Sequence, residues 1–92
     1  MTEQELLRAV AERAIRYRSS LPSAGVTPTA RPADLRAALG GPAPDTSTAP
    51  EDVIDRLATA LESGGLMGMD SGRFFGFVIG GSVPAALAAD WL

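Results

Sequence analysis

Two clusters in this 92-residue chain have residue types and spacing that could do chemistry. The first is the set Arg8, Arg13, Arg16 and Arg18 in the opening segment TEQELLRAVAERAIRYRSSL. Guanidinium groups recognise carboxylates and phosphates through paired N–H donors. These four lie largely off the apolar stripe of the same segment, so a solvated helix flank is the simpler reading. The second cluster is Gly80-Gly81-Ser82 ahead of Pro84. Backbone N–H groups at a helix start attract anions, but Ser82 as an ordinary helix cap accounts for the same residues without a ligand.

The missing residue types narrow the chemistry further. Histidine is absent, which removes the usual neutral-pH acid/base and the commonest metal ligand. All eight basic residues are arginine, so no lysine can form a Schiff base. Cysteine is absent too, excluding disulfides, thiolate metal sites and thiol nucleophiles. The acids are spread over predicted helix surfaces. A net charge of −3 lacks the basic footprint that nucleic acid requires. The acidic, interrupted N-terminus MTEQELLRAV does not read as a secretory signal, and a cytoplasmic protein is the expectation. No autonomous active site is expected.

The elements that position these residues are short helices. Thr2 and Glu5 have capping-box spacing, and Leu7, Val10, Ala14, Tyr17 and Leu21 recur at three- and four-residue steps along one helical face. The connector PSAGVTPTARP follows. Pro32 then opens a helix through ADLRAAL that Gly40-Gly41 should stop. After the loop PAPDTSTAP, Pro50 opens a third helix with Glu51 and Asp52 in its first turn. Val53, Ile54, Leu57, Ala58 and Leu61 supply its expected buried face, and Gly64-Gly65 its end. These faces are small and rich in alanine, so packing on another chain is the easier way to bury them.

From Phe74 to Ala89 the chain carries no charge. A membrane span needs about twenty apolar residues, and this stretch contains Gly80-Gly81-Ser82 and Pro84, so a soluble role is favoured. The run RFFGFVIGGSVPAALAADWL instead resembles the N-terminal region of the group II pyridoxal-phosphate-dependent amino acid decarboxylases, which act on aromatic amino acids, histidine or glutamate. Its elements are Arg73-Phe74-Phe75-Gly76-Phe77, then Val78-Ile79-Gly80-Gly81, then Leu87-Ala88-Ala89-Asp90-Trp91-Leu92. Upstream, AIRYRSSLP and VTPTARPADLRAALGGPAP are similar to the family's first helix, short second helix and linker. Ser71-Gly72 stands where the family has His-Pro.

The resemblance implies a mainly α segment of a fold-type-I enzyme: three to four short helices with Pro/Gly-rich connectors, without the α/β cofactor domain. It implies a helical dimerisation segment over 1–72, and an extended pocket-lining stretch with the start of a helix over 73–92. In the family the segment crosses onto a second subunit, and the full enzyme is a homodimer. The implied substrate-binding residues are Phe77, Val78, Ile79 and Gly80, with Ile79 and Gly80 nearest the amino acid substrate. Phe74 and Phe75 are implied anchors, and Arg73 either meets a substrate carboxylate or is an ordinary surface arginine. Pyridoxal 5′-phosphate is the full-length family's cofactor, and its lysine, stacking histidine and pyridine-pairing aspartate lie in the domain missing here. This chain alone is therefore expected to bind no cofactor or metal and to be inactive, as a fragment or one piece of a split enzyme. The competing expectation is a stand-alone helical interaction module without enzyme activity. Partners are a cofactor domain or second subunit, not nucleic acid and not a membrane. A pocket wall of Phe, Val, Ile and Gly suits an apolar side chain better than a charged one.

Overall fold

The computed structural model describes residues 1–92. Four α-helices form and no strand does: α1 (Glu3–Ser20), α2 (Pro32–Leu39), α3 (Pro50–Ala60) and α4 (Pro84–Asp90), with a wider closing turn at Leu61–Gly65. The local signals explain the starts. At α1 the Glu5 N–H donates to the Thr2 hydroxyl at 3.2 Å, and the Thr2 N–H donates to Glu5 Oε2 at 2.6 Å, closing the capping box. These bonds, the Thr2 backbone N–H first and its side chain second, hold the Glu5 carboxyl below its ordinary range. Helices α2, α3 and α4 each begin with proline, where the missing N–H costs nothing. The Arg31 N–H donates to Asp34 Oδ2 at 3.0 Å at the start of α2.

Glycines close α2 and α3 as expected. The Gly40 N–H bonds the Arg36 carbonyl at 2.7 Å. At the end of α3, Gly64 has φ +97, a conformation in which a side chain is strained. Its carbonyl accepts N–H bonds from Thr29 and Ala30, both at 3.0 Å. A Cβ at Gly64 would stand 2.0 Å from Thr29 Oγ1, so the close approach of the two loops requires glycine. The small core gathers beside this clasp, where the ends of α1 and α3 meet the loops.

Only four residues of the 92 are buried, including Leu21, Ala60 and Ser71. The chain is correspondingly spread out. Its radius of gyration is 15.2 Å, against about 12 Å for a compact domain of this length. Its accessible surface is 7263 Å², against roughly 5,000 Å² for a compact monomer of the same mass. The difference, on the order of 2,000 Å², is the size of a substantial protein interface.

The expected apolar faces are correct in outline and wrong at three residues. Leu7 is exposed, and Leu6 takes its place beside Val10, Ala14, Tyr17 and Leu21. On α3, Ile54, Ala58 and Leu61 are half-buried, but Val53 and Leu57 are exposed. The reason is where the helices cross: Leu6, Ala9 and Val10 of α1 share a cleft with Ile54 of α3. No element covers the adjoining residues.

Polar ties take over where apolar packing is thin. Arg13 reaches from α1 to Asp55 at 2.8 Å and Glu62 at 3.2 Å. Arg18 faces Asp70 at 3.7 Å. Arg56 donates to the Ala38 and Gly40 carbonyls at 2.7 and 3.1 Å, joining α3 to the end of α2. The expected solvated flank is thus half corrected. Arg8 and Arg16 are exposed, whereas Arg13 and Arg18 are half-buried and paired, because acids remote in sequence are folded against them.

Candidate functional site

The uncharged stretch after Arg73 begins from a firm base. The Gly68 N–H bonds the Val26 carbonyl at 2.8 Å, holding the chain against the connector that follows α1. Ser71 is buried, its N–H donates to the Gly68 carbonyl at 3.0 Å, and its hydroxyl accepts the Arg73 N–H at 3.2 Å. The Arg73 guanidinium donates to the Ala24 carbonyl. It is thus a brace between two loops.

Beyond the brace the backbone makes a loop whose ends nearly meet. The Phe74 N–H bonds the Ser71 carbonyl at 3.0 Å. A Cβ at Gly80 would lie 3.0 Å from the Phe74 carbonyl oxygen, which measures how closely the returning chain passes. Between these ends, the Ile79 N–H bonds the Gly76 carbonyl at 3.1 Å. The two central residues of that turn are Phe77 at φ 53 and Val78 at φ 57.

This turn corrects the expected extended stretch. Positive φ at both central positions is the mark of a type I′ turn, normally built from Asn-Gly or Gly-Gly. Phenylalanine is unfavourable there, and a β-branched valine is an outlier. The Phe74 ring lies over Gly76, where an added Cβ would be 2.7 Å from the ring. Phe74 is half-buried, whereas Phe75 is 95 % exposed.

The four residues implied to bind substrate lie together on this loop. Phe77 and Val78 form its tip, with exposures of 87 % and 105 %. Ile79 is also exposed, and Gly80 is half-buried at φ 149. They form a projecting surface, and a pocket would need further walls from elsewhere. Ser82 does not cap the next helix. Val83 occupies the N-cap position of α4 without a side-chain hydrogen bond, so the cap reading of Ser82 is corrected. Helix α4 is short and buries no residue, and Trp91 and Leu92 just beyond it are exposed.

Two clefts were not foreseen from the sequence. One, of about 480 Å³, separates α1 from α4 and is lined by Ala14, Ile15, Leu87 and Trp91. The other, of about 510 Å³, lies between α1 and the closing turn and presents Arg13, Arg16, Tyr17, Thr27, Thr29 and Glu62. Glu62 and Asp55 neutralise Arg13 in that cleft. No three His, Cys, Asp or Glu side chains converge to hold a metal ion. No helix is long and apolar enough to cross a membrane. No protein-family model, curated protein or solved structure matches the chain.

Proposed function

We propose that this chain is the N-terminal dimerisation and substrate-pocket segment of a group II pyridoxal-phosphate-dependent amino acid decarboxylase. The observation that carries the proposal is the outward presentation of the stretch that bears the resemblance. Phe75, Phe77, Val78, Trp91 and Leu92 project from a chain that buries only four residues. Such a surface is suited to completion by another protein.

The chain's own residues would then act by docking and shaping. The faces of α1 and α3 left open at Leu7, Val53 and Leu57 would lie against the second subunit. Phe77, Val78, Ile79 and Gly80 would wall the side-chain pocket and exclude water from it. Arg73, already engaged with Ala24, would hold the loop's base rather than a substrate carboxylate.

In such an enzyme pyridoxal phosphate supplies the electron sink for decarboxylation. The residues here do not fit a resident cofactor, because no lysine is present to hold it. Any cofactor site belongs to the partner. The experiment is to fuse this chain to the cofactor domain of a bacterial aromatic-amino-acid decarboxylase in place of that enzyme's own segment. Ile79→Asp in the fusion is expected to abolish turnover while cofactor absorbance is retained. Parallel loss of both would reject a pocket role, since a buried unpaired carboxylate disrupts folding anywhere.

A further inference from the structure

We infer that the cleft between α1 and α4 binds a small arylalkyl carboxylate, its ring against Trp91 and its carboxylate on Arg18. The inference goes beyond the decarboxylase reading, because the lining includes none of Phe77, Val78, Ile79 and Gly80.

Two helical faces make this cleft. Helix α1 contributes Ala11, Ala14, Ile15 and Arg18. From the start of α4 to its C-cap come Pro84, Leu87, Ala88 and Trp91. Both sets advance by three, one and three residues, which keeps each on a single stripe of its helix. The alanines and the proline are too short to close the gap, which holds about 480 Å³. That volume falls within the range of small-ligand sites, which are mostly apolar with a few polar groups fixing orientation. Ile15 and Trp91 are 56 % and 64 % exposed, so apolar surface remains for a ligand to cover.

The charge sits at one end. Arg18 is the single charged residue lining the cleft and stands in the last turn of α1. Asp70 lies 3.7 Å from its guanidinium, beyond hydrogen-bond distance, and is itself 53 % exposed. A pair of that kind is weak in water. It leaves the guanidinium N–H groups available to hold a second carboxylate by paired hydrogen bonds.

These features select the ligand. One cation at the end of an apolar trough matches a monocarboxylate with an apolar body. The flat indole of Trp91 favours a ring over an aliphatic chain, since offset or edge contacts between aromatic rings add to their burial. A peptide would lay backbone N–H and C=O groups against walls whose polar side chains are Arg18 and Ser19 alone.

Trp91 is the only tryptophan of the chain, so its emission reports on the cleft. Titrating the 92-residue chain with phenylbutyrate at neutral pH should shift that emission to the blue, with a dissociation constant below about 1 mM. Amide resonances of residues 11–18 and 84–91 should move with it. The neutral analogue phenylbutyramide should bind about tenfold more weakly. Arg18→Gln should lower affinity for the acid by about tenfold and leave the amide unchanged. Asp70→Asn breaks the same ion pair, yet it should strengthen acid binding by about threefold, because a competing carboxylate is removed. A merely structural role for Arg18 would weaken acid and amide alike in both variants, and would overturn the inference. So would equal affinity for acid and amide, or no emission shift up to about 10 mM ligand. An emission shift that follows chain concentration alone would place a second copy in the cleft and refute it too. No cofactor domain takes part, so failure here is separable from failure of the decarboxylase proposal.

Discussion

Replacing Gly64 with alanine should destabilise the clasp between the turn that closes α3 and the 29–30 loop. At φ +97 an L side chain is strained, at a cost of about 1–2 kcal/mol for a left-handed conformation. The new Cβ would also meet Thr29 Oγ1 at 2.0 Å, the Ala30 nitrogen at 3.0 Å and Thr29 Cβ at 3.3 Å. Rotating the Thr29 side chain relieves only the first of these contacts. The backbone must retreat for the rest, stretching the two N–H bonds that Thr29 and Ala30 donate to the Gly64 carbonyl. Losing one or both adds about 1–2 kcal/mol, for a total of about 2–4 kcal/mol. Gly41→Ala is the control. Its φ is +129, but nothing lies within 4 Å of the added Cβ, so it should cost no more than the conformational share of about 1–2 kcal/mol. Urea denaturation followed by circular dichroism measures both variants. Adding Thr29→Ala to Gly64→Ala should recover part of the loss. Equal destabilisation at Gly64 and Gly41, or none at Gly64, would refute the clasp between the α3 turn and the 29–30 loop.

Three further outcomes are expected. Arg13→Ala should lower stability by about 1 kcal/mol in urea denaturation, a value kept small because Asp55 and Glu62 are largely solvated. No change would mean that the ion pairs do not tie α1 to α3. The Glu5 carboxyl is held below its ordinary value of 4.5 by the Thr2 cap, so it binds protons less readily in the folded chain than in the unfolded one. Its contribution is therefore present above about pH 4.5 and lost as pH falls through the lowered folded value. Amide protection in the first turn of α1, taken relative to the intrinsic exchange rate at each pH, should fall over that acid range in the native chain, and Glu5→Gln should flatten the dependence. Finally, pyridoxal phosphate followed by borohydride should label no side-chain amine, since the sequence has no lysine. Mass spectrometry of proteolytic peptides reads this directly, and an internal adduct would contradict it.

Features governed by neighbours a few residues apart were legible in the sequence. Thr2 with Glu5, and the prolines at 32, 50 and 84, mark helix starts by satisfying or omitting local N–H groups, and they lie where expected. The apolar faces were legible only as faces. Periodicity places Leu7, Val53 and Leu57 on them, but whether anything packs there depends on helix crossings that no local pattern encodes. The Arg13 pairs join residues 42 and 49 positions apart and left no signal in the charge pattern. At the candidate site, aromatic and β-branched residues favour an extended chain, whereas Phe77 and Val78 turn. That local preference is overridden where Gly80 passes close to the Phe74 carbonyl and the loop must close.

The most direct measurement is light scattering with size exclusion on the chain mixed with a decarboxylase cofactor domain lacking its own N-terminal segment, with carbon dioxide release assayed on the fractions. The proposal predicts co-elution in equal stoichiometry and decarboxylation that neither component shows alone. Separate elution with no gain of activity, from a cofactor domain that still binds pyridoxal phosphate, would contradict it.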